Sequence, residues 1–170
     1  MKKAICVFLL PACFPVANAQ PAADTSGTLV AQKENIITAS TIIKIENLGF
    51  NINSDLAELR PTISADGNLL FFMCENHKYN TKYDAIPNSQ DIWYSERDSN
   101  GVWGEAMHMD YPLNTYHYNA VFWISPDNNR ILIRNAFIEG DYAGNGVSMS
   151  YRKANGRWSK SEMLRIKYFE

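Results

Sequence analysis

A chain of 170 residues that is 46% hydrophobic, 12% aromatic and 20% charged is globular in composition, well outside the low-hydrophobicity, high-charge range of disordered proteins. Its length suits one domain. Sixteen Lys plus Arg against eighteen Asp plus Glu give a net charge of -2 without long basic runs, which argues against a nucleic-acid partner.

Residues 1–19 read as a signal peptide. Lys2 and Lys3 form a positive n-region, Ala4 to Val16 is apolar, and Ala17-Asn18-Ala19 places small residues at the -3 and -1 positions of a cleavage site before Gln20. The apolar stretch is shorter than the roughly 20 residues that span a bilayer and is broken by Pro11 and Pro15, so no membrane span is expected in the mature chain. The expected location is periplasmic or secreted. A lipoprotein anchored at Cys13 is the alternative, because Leu10-Pro11-Ala12-Cys13 resembles a lipobox. Cleavage would remove two lysines and leave a mature net charge of -4. It would also remove Cys6 and Cys13, leaving Cys74 without an intrachain partner and, beside the apolar run LLFFM, as a buried thiol. Residues 20–40, rich in Ala, Ser, Thr and Gln, read as a flexible leader.

From residue 41 onward the chain contains an internal repeat. Ile63-Ser64-Ala65-Asp66-Gly67-Asn68 returns as Ile124-Ser125-Pro126-Asp127-Asn128-Asn129, and Asn53-Ser54 as Asn114-Thr115, all at a spacing of 61. Ser95, Arg97, Asn100, Gly101 and Trp103 return as Ser150, Arg152, Asn155, Gly156 and Trp158 at a spacing of 55, so the second copy has the shorter central loop. The duplicated unit spans about 51–112 and 113–170 within a domain of 41–170.

Each copy reads as a meander of four strands, giving an all-β fold of two stacked four-stranded antiparallel sheets. In the first copy the strands are expected at Glu58 to Ser64, Asn68 to Cys74, Asp91 to Arg97 and Val102 to Met109, rich in aromatic and branched residues and bounded by turn chemistry. Asp66-Gly67 and Asn100-Gly101 are tight hairpin signals of the two-residue kind, with Asn128-Asn129 and Asn155-Gly156 as their counterparts. LLFFM and RILI are almost continuously apolar, as strands covered on both faces are. The segment Thr41 to Phe50 offers an extra outer strand to close a sheet.

RPTISADGNLLFF, then QDIWYSERDSNGVWGEAMHM, then Pro-Leu-Asn-Thr before the second copy, resembles the WD40-like β-propeller repeat of the TolB type, over about residues 50–165. The resemblance rests on the Ser-x-Asp-Gly turn, the Asp91-Ile92-Trp93 strand, the Gly-x-Trp pair and the Asn-Thr at the blade junction. In the second copy Gly146-Val147-Ser148 stands for Asp-Ile-Trp and Asp127-Asn128 for Asp-Gly. The resemblance implies two propeller blades and an exported, envelope-associated binding role. This chain departs from the family by carrying two blades, whereas closed propellers have about 4 to 8. Uncovered sheet faces invite pairing, so a homo-oligomer completing a ring is an alternative to a two-sheet monomer.

A meander places its first and third turns at one end, and its second turn and the blade junction at the other. The second end is expected to gather the loop Glu75 to Gln90, the loop Phe137 to Asn145 and the junctions around Asn53 and Asn114 to Asn119. Function concentrates on such loops. The candidate ligand-binding residues there are His77, Tyr79, Tyr83, Asp84, Tyr116, His117, Tyr118, Asp141 and Tyr142, with Glu139 beside them. Aromatic faces with polar tips suit peptides or sugars. The expected partner is an envelope protein or a glycan.

Catalytic signatures are poor: G-x-S-x-G, H-E-x-x-H and a phosphate-binding Gly-rich loop are all missing, and the three histidines lack close ligand spacing. No cofactor, metal site or catalytic residue is expected. A hydrolase using loop carboxylates, such as Asp84 with Glu139, or histidines is the alternative class. Asp98-Ser99-Asn100-Gly101 lacks the later bidentate Glu of a calcium loop and reads as a hairpin turn. Trp103 and Trp158 are expected to pack between strands, and Asp91 to tie its strand to a neighbouring turn.

Overall fold

The computed structural model describes residues 6–8, 45–80, 87–116 and 118–167. Ten strands are found there: β1 (Cys6–Phe8), β2 (Ile45–Asn47), β3 (Ala57–Ile63), β4 (Leu69–Glu75), β5 (Gln90–Glu96), β6 (Met107–His108), β7 (Val121–Ile124), β8 (Arg130–Ile138), β9 (Asp141–Tyr151) and β10 (Glu162–Met163). They form an all-β fold with two four-stranded antiparallel sheets, ordered β3-β4-β5-β6 and β10-β9-β8-β7. Each sheet is a meander, and the two match the two sequence repeats. Among the described residues no helix is long and apolar enough to cross a membrane.

The core lies between the sheets because alternate residues of one strand point to opposite faces. Leu69, Phe71 and Ile92 of the first sheet meet Val121, Ile124, Ile131, Ile133, Phe137 and Trp158 of the second repeat. Trp158 packs edge-on against Phe71 with ring centroids 6.2 Å apart, so it is a core residue, as its place in the repeat led us to expect. Leu70, Phe72 and Cys74, facing the other way, are buried too, which accounts for the unbroken apolar run of β4. Cys74 is a free buried thiol. On β3, an edge strand, Pro61 needs no ladder donor, and the register shifts between Leu59 and Thr62 with Arg60 at φ 50°. The second sheet leaves Trp123 43% exposed on the face it shares with its cross-strand partner Leu132.

Four expectations are corrected. The segment Phe137 to Asn145 is not a loop. β8 runs to Ile138 and β9 starts at Asp141, with Glu139 and Gly140 forming a two-residue turn at φ 54° and 88°. Two positive φ values in succession match the right-handed twist of a hairpin, and flanking Phe, Ile and Tyr favour continued pairing over a loop. The Asp-Gly and Asn-Gly turns are wider than two residues. Ser64 and Leu69 close the first around Ala65 to Asn68, while Asp98 and Val102 close the third around a Gly101 at φ 79°. The fourth strand, expected from Val102 to Met109, shrinks to β6 plus an Arg97–Trp103 bridge, and between them the register against β5 shifts by one residue, where Gly104 donates to the Glu96 carbonyl and accepts from Ser95 Oγ. Lastly, Ile45–Asn47 joins neither large sheet and pairs with Cys6–Phe8 in a small two-stranded sheet. The rest of the expected signal peptide and leader, and residues 41–44, lie outside the described residues.

The plain end is held by one device used twice. Ser64 Oγ donates to Asp66 and Ser125 Oγ to Asp127, and the Asn68 and Asn129 N–H groups donate to the same carboxylates. The copies are also linked, since Asn128 Nδ2 donates to Asp66 Oδ2 at 3.0 Å. These hydrogen bonds, the serine hydroxyl first, hold both carboxyls below the ordinary Asp value of 3.8. A depressed folded value means stabilisation that is fully present above about 3.8 and is lost as pH falls through the lower folded value. The double variant Asp66→Asn, Asp127→Asn is therefore expected to be less stable than the parent at neutral pH and to converge with it under acid. Urea unfolding at pH 7 and pH 2 checks this; a constant gap would refute it.

Candidate functional site

The site begins where β4 ends. Asn80 is buried and its Nδ2 donates to the carbonyls of Cys74 at 2.7 Å and Ser89 at 3.0 Å, pinning both stems of the loop that follows β4. Asn76 at φ 60° and Asn88 at φ 65° reverse the chain there, and the Asn88 N–H donates to Asn76 Oδ1 at 2.7 Å. The Asn80 N–H closes a turn onto the His77 carbonyl at 2.9 Å. His77 and Tyr79 are thereby carried on a short, anchored turn beside the first sheet.

That turn packs against a cross-strand pair. Trp93 of β5 stands opposite His108 of β6, with ring centroids 5.1 Å apart. His77 meets Trp93 edge-on at 4.3 Å, and Tyr79 stacks over Trp93 at 6.3 Å with 21° between the planes. The Tyr79 N–H donates to His77 Nδ1 at 3.2 Å, so Nδ1 acts as acceptor. Burial, with smaller contributions from His108 and Lys78, holds His77 below its ordinary value of 6.5. It is a neutral imidazole at neutral pH.

Behind the aromatic cluster lies a polar tie between repeats. Asp91 Oδ2 is 2.8 Å from His108 Nε2, and Asp91 Oδ1 accepts from Asn119 Nδ2 at 3.0 Å. Asp91 thus fastens β5 to the junction, as expected from sequence. The other His108 nitrogen lies 3.7 Å from Asp110 Oδ1. Burial, then the charge of Glu58, pushes the Cys74 thiol up to about 12, so it is no nucleophile at physiological pH.

A cleft of about 310 Å³ opens on this side, walled by His77, Tyr79 and Trp93, with Lys78 and Glu105 at its edge and Glu58 and Cys74 in its floor. Glu58, Cys74 and Asp91 are consecutive cross-strand partners on β3, β4 and β5, so one face carries all three. Glu58 is 96% buried by its 4% exposure, and its Oε1 accepts from the Ser54 N–H at 3.0 Å and the Ser54 hydroxyl at 2.5 Å. Two side chains that line the cleft carry a buried polar atom without a hydrogen-bond partner, Glu58 Oε2 and Trp93 Nε1. A larger cavity, about 560 Å³, runs between the sheets past Tyr94, Tyr111, Arg152 and Trp158. None of its lining side chains has such a buried, unpartnered polar atom, so the smaller cleft is the better candidate for ligand recognition.

The candidate residues from sequence fall into separate groups. His77 and Tyr79 share the cleft. Tyr116 and Tyr142 stack face to face, centroids 3.8 Å apart and 4° between planes, joining the junction to the β8–β9 hairpin. Tyr118 lies under the Arg134 guanidinium at 5.5 Å and forms a bridge with Gln90. Asp141 is exposed at the start of β9, opposite Ile138, on the hairpin and not on a loop. Tyr83, Asp84 and His117 lie outside the described residues. Sequence reasoning missed Glu58 as a site residue and treated Trp93 and His108 without assigning them to one; the signal for Trp93 and His108 was their place on neighbouring strands. No family model, curated protein or solved structure matches the chain.

Proposed function

We propose that this chain is a non-catalytic, exported binding module of the bacterial cell envelope, built from two propeller-type blades, that takes a protein or glycan partner at the end opposite its tight Ser-x-Asp turns. The observation that carries the proposal is the cleft beside β3 and β5. Flat aromatic walls supply contact area at little conformational cost, and a few fixed polar groups supply orientation, which is the usual division of labour in a recognition site. Anchoring of the His77 turn through Asn80 supports a preorganised wall, which lowers the entropic cost of binding. The repeat, the signal-peptide pattern and the resemblance to TolB-type repeats support the blade assignment and the envelope location.

The test is binding of the full chain to defined panels of envelope oligosaccharides and peptides, measured beside Tyr79→Ala. Tyr79 is 52% exposed, so its removal should leave the fold intact. Saturable binding weakened about 10-fold by Tyr79→Ala is expected, the loss of one aromatic contact of an interface. Failure to bind any panel member, or binding indifferent to Tyr79, would refute the proposal.

A further inference from the structure

We propose that the cleft beside β3 and β5 is a receptor for a primary ammonium group carried next to an oxygen acceptor. This rests on the binding-module reading and names the ligand chemistry of the same site.

The first argument is the carboxylate. Glu58 is buried, and both groups that engage it, the Ser54 N–H and hydroxyl, go to Oε1. Its Oε2 is buried and has no partner. A carboxylate oxygen out of water without a donor is costly, and a charged N–H donor compensates it better than a neutral one. Its partner across the ladder and the residue bonded to its other oxygen do not serve. The Cys74 thiol across the ladder is at best a weak donor, and Ser54 is already committed to Oε1.

The second argument is the walls. Aromatic faces attract cations through their quadrupoles, by more where water is excluded. Trp93 is the strongest such face among side chains, and here it lies with Tyr79 and His77 around the same space as Glu58. The Tyr79 ring has the Lys78 ammonium 5.2 Å from its centroid, so one cation already lies near this ring. Glu58 and Glu105 against Lys78 leave the charged lining negative by one, His77 being neutral.

The third argument is the indole. Trp93 lines the cleft, and its Nε1 is buried with no acceptor. Glu58 on β3 and Trp93 on β5 are separated by β4 and both line the cleft, so the orphan acceptor and the orphan donor belong to side chains two strands apart in its lining. One ligand satisfies both if it carries an ammonium at one end and a hydroxyl or carbonyl oxygen at the other. A cleft of about 310 Å³ has room for one such group, not for a long chain.

The experiment is calorimetric titration of the full chain, at neutral pH, with glucosamine and Nα-acetyl-lysine amide. Each is paired with its neutral form, N-acetylglucosamine and Nα,Nε-diacetyl-lysine amide. At least one free amine is expected to bind about 10-fold or more tightly than its acetylated partner, a preference that Glu58→Gln abolishes. Which amine wins distinguishes a sugar from a basic side chain as the source. Equal binding of free and acetylated forms overturns the inference, as does a preference that survives Glu58→Gln. Should that variant not fold, Tyr79→Ala decides, since a preference for the free amine undiminished by loss of that ring would overturn the ammonium site. Neutral ligands bound in a Tyr79-dependent way would sink the ammonium inference and leave the binding module standing. If all four compounds fail to bind, the inference falls, and the panel experiment with Tyr79→Ala then judges the binding module separately.

Discussion

Phe71→Ala is expected to destabilise the domain by about 3–5 kcal/mol, the usual cost of emptying a buried Phe site. Phe71 is 1% exposed and stands where the two sheets meet, with Tyr94 at 6.3 Å and Trp158 at 6.2 Å between ring centroids. Both neighbours are large and held by their own strands and turns, so the space cannot collapse cheaply. The loss removes the contact through which Trp158 of the second repeat grips the first sheet. Against a total stability of about 5–15 kcal/mol, the variant sits near the edge of folding. Phe122→Ala is the matched control, because Phe122 is 40% exposed and has Arg60 over its ring at 5.8 Å. Its expected cost is below about 1 kcal/mol. Urea unfolding of both variants tests the contrast; equal losses would mean that the sheets do not share the core centred on Phe71.

The sequence carried the fold further than the site, for reasons that individual residues make plain. Strand alternation and turn chemistry are local, so the meanders could be read from LLFFM, from the serine-aspartate turns and from Asn-Gly at the third turn. The internal repeat then fixed the spacing of the copies. What local rules missed is where a backbone competes with its surroundings. Val102 to Met109 has the composition of a strand, yet Ser95 Oγ donates to the Gly104 carbonyl where the pairing with β5 shifts by one residue, and regular strand is left only at Met107 and His108. Phe137 to Asn145 carries no local sign of its long hairpin, and Gly146, just beyond it, sits where a Cβ would come within 3.1 Å of the Ala136 Cβ, so that glycine permits close strand pairing.

The site was legible only in its exposed half. His77 and Tyr79 announced themselves by lying on a long loop. Glu58 did not, because its importance comes from cross-strand pairing with Cys74 and from cover supplied by residues near Ser54 and Tyr79, two segments distant in sequence. Trp93 reads as an ordinary strand aromatic until His77, Tyr79 and His108 are seen around it. Pairing such as Tyr116 with Tyr142 depends likewise on a hairpin that extends to meet the junction.

Asn114→Ala is expected to cost about 2–4 kcal/mol, although it removes only a small amide. Asn114 is fully buried at the junction of the repeats. Its Oδ1 accepts the Ile92 N–H at 2.8 Å, and its Nδ2 donates to the Ile92 carbonyl at 2.9 Å and to the Met109 carbonyl. The Ile92 carbonyl has a second donor in the Met109 N–H at 3.0 Å, so it survives the loss. The Ile92 N–H would be left buried without its acceptor, which is the expensive part of the change. Asn114→Asp should not rescue it, since a carboxylate can take the Ile92 N–H but meets two carbonyl oxygens with no donor to offer. Asn53 occupies the same position in the first repeat, and there Nδ2 reaches Asn47 Oδ1 at 3.0 Å in an exposed setting. Asn53 is half-exposed, and Asn53→Ala is accordingly expected to cost less than Asn114→Ala. The repeat makes these two residues equivalent in sequence, while their energies differ because Asn114 has the third strand of the other repeat to hold. Amide exchange at Ile92, faster in Asn114→Ala and unchanged in Asn53→Ala, would tie the difference to that one N–H; equal effects of the two substitutions would refute the junction role.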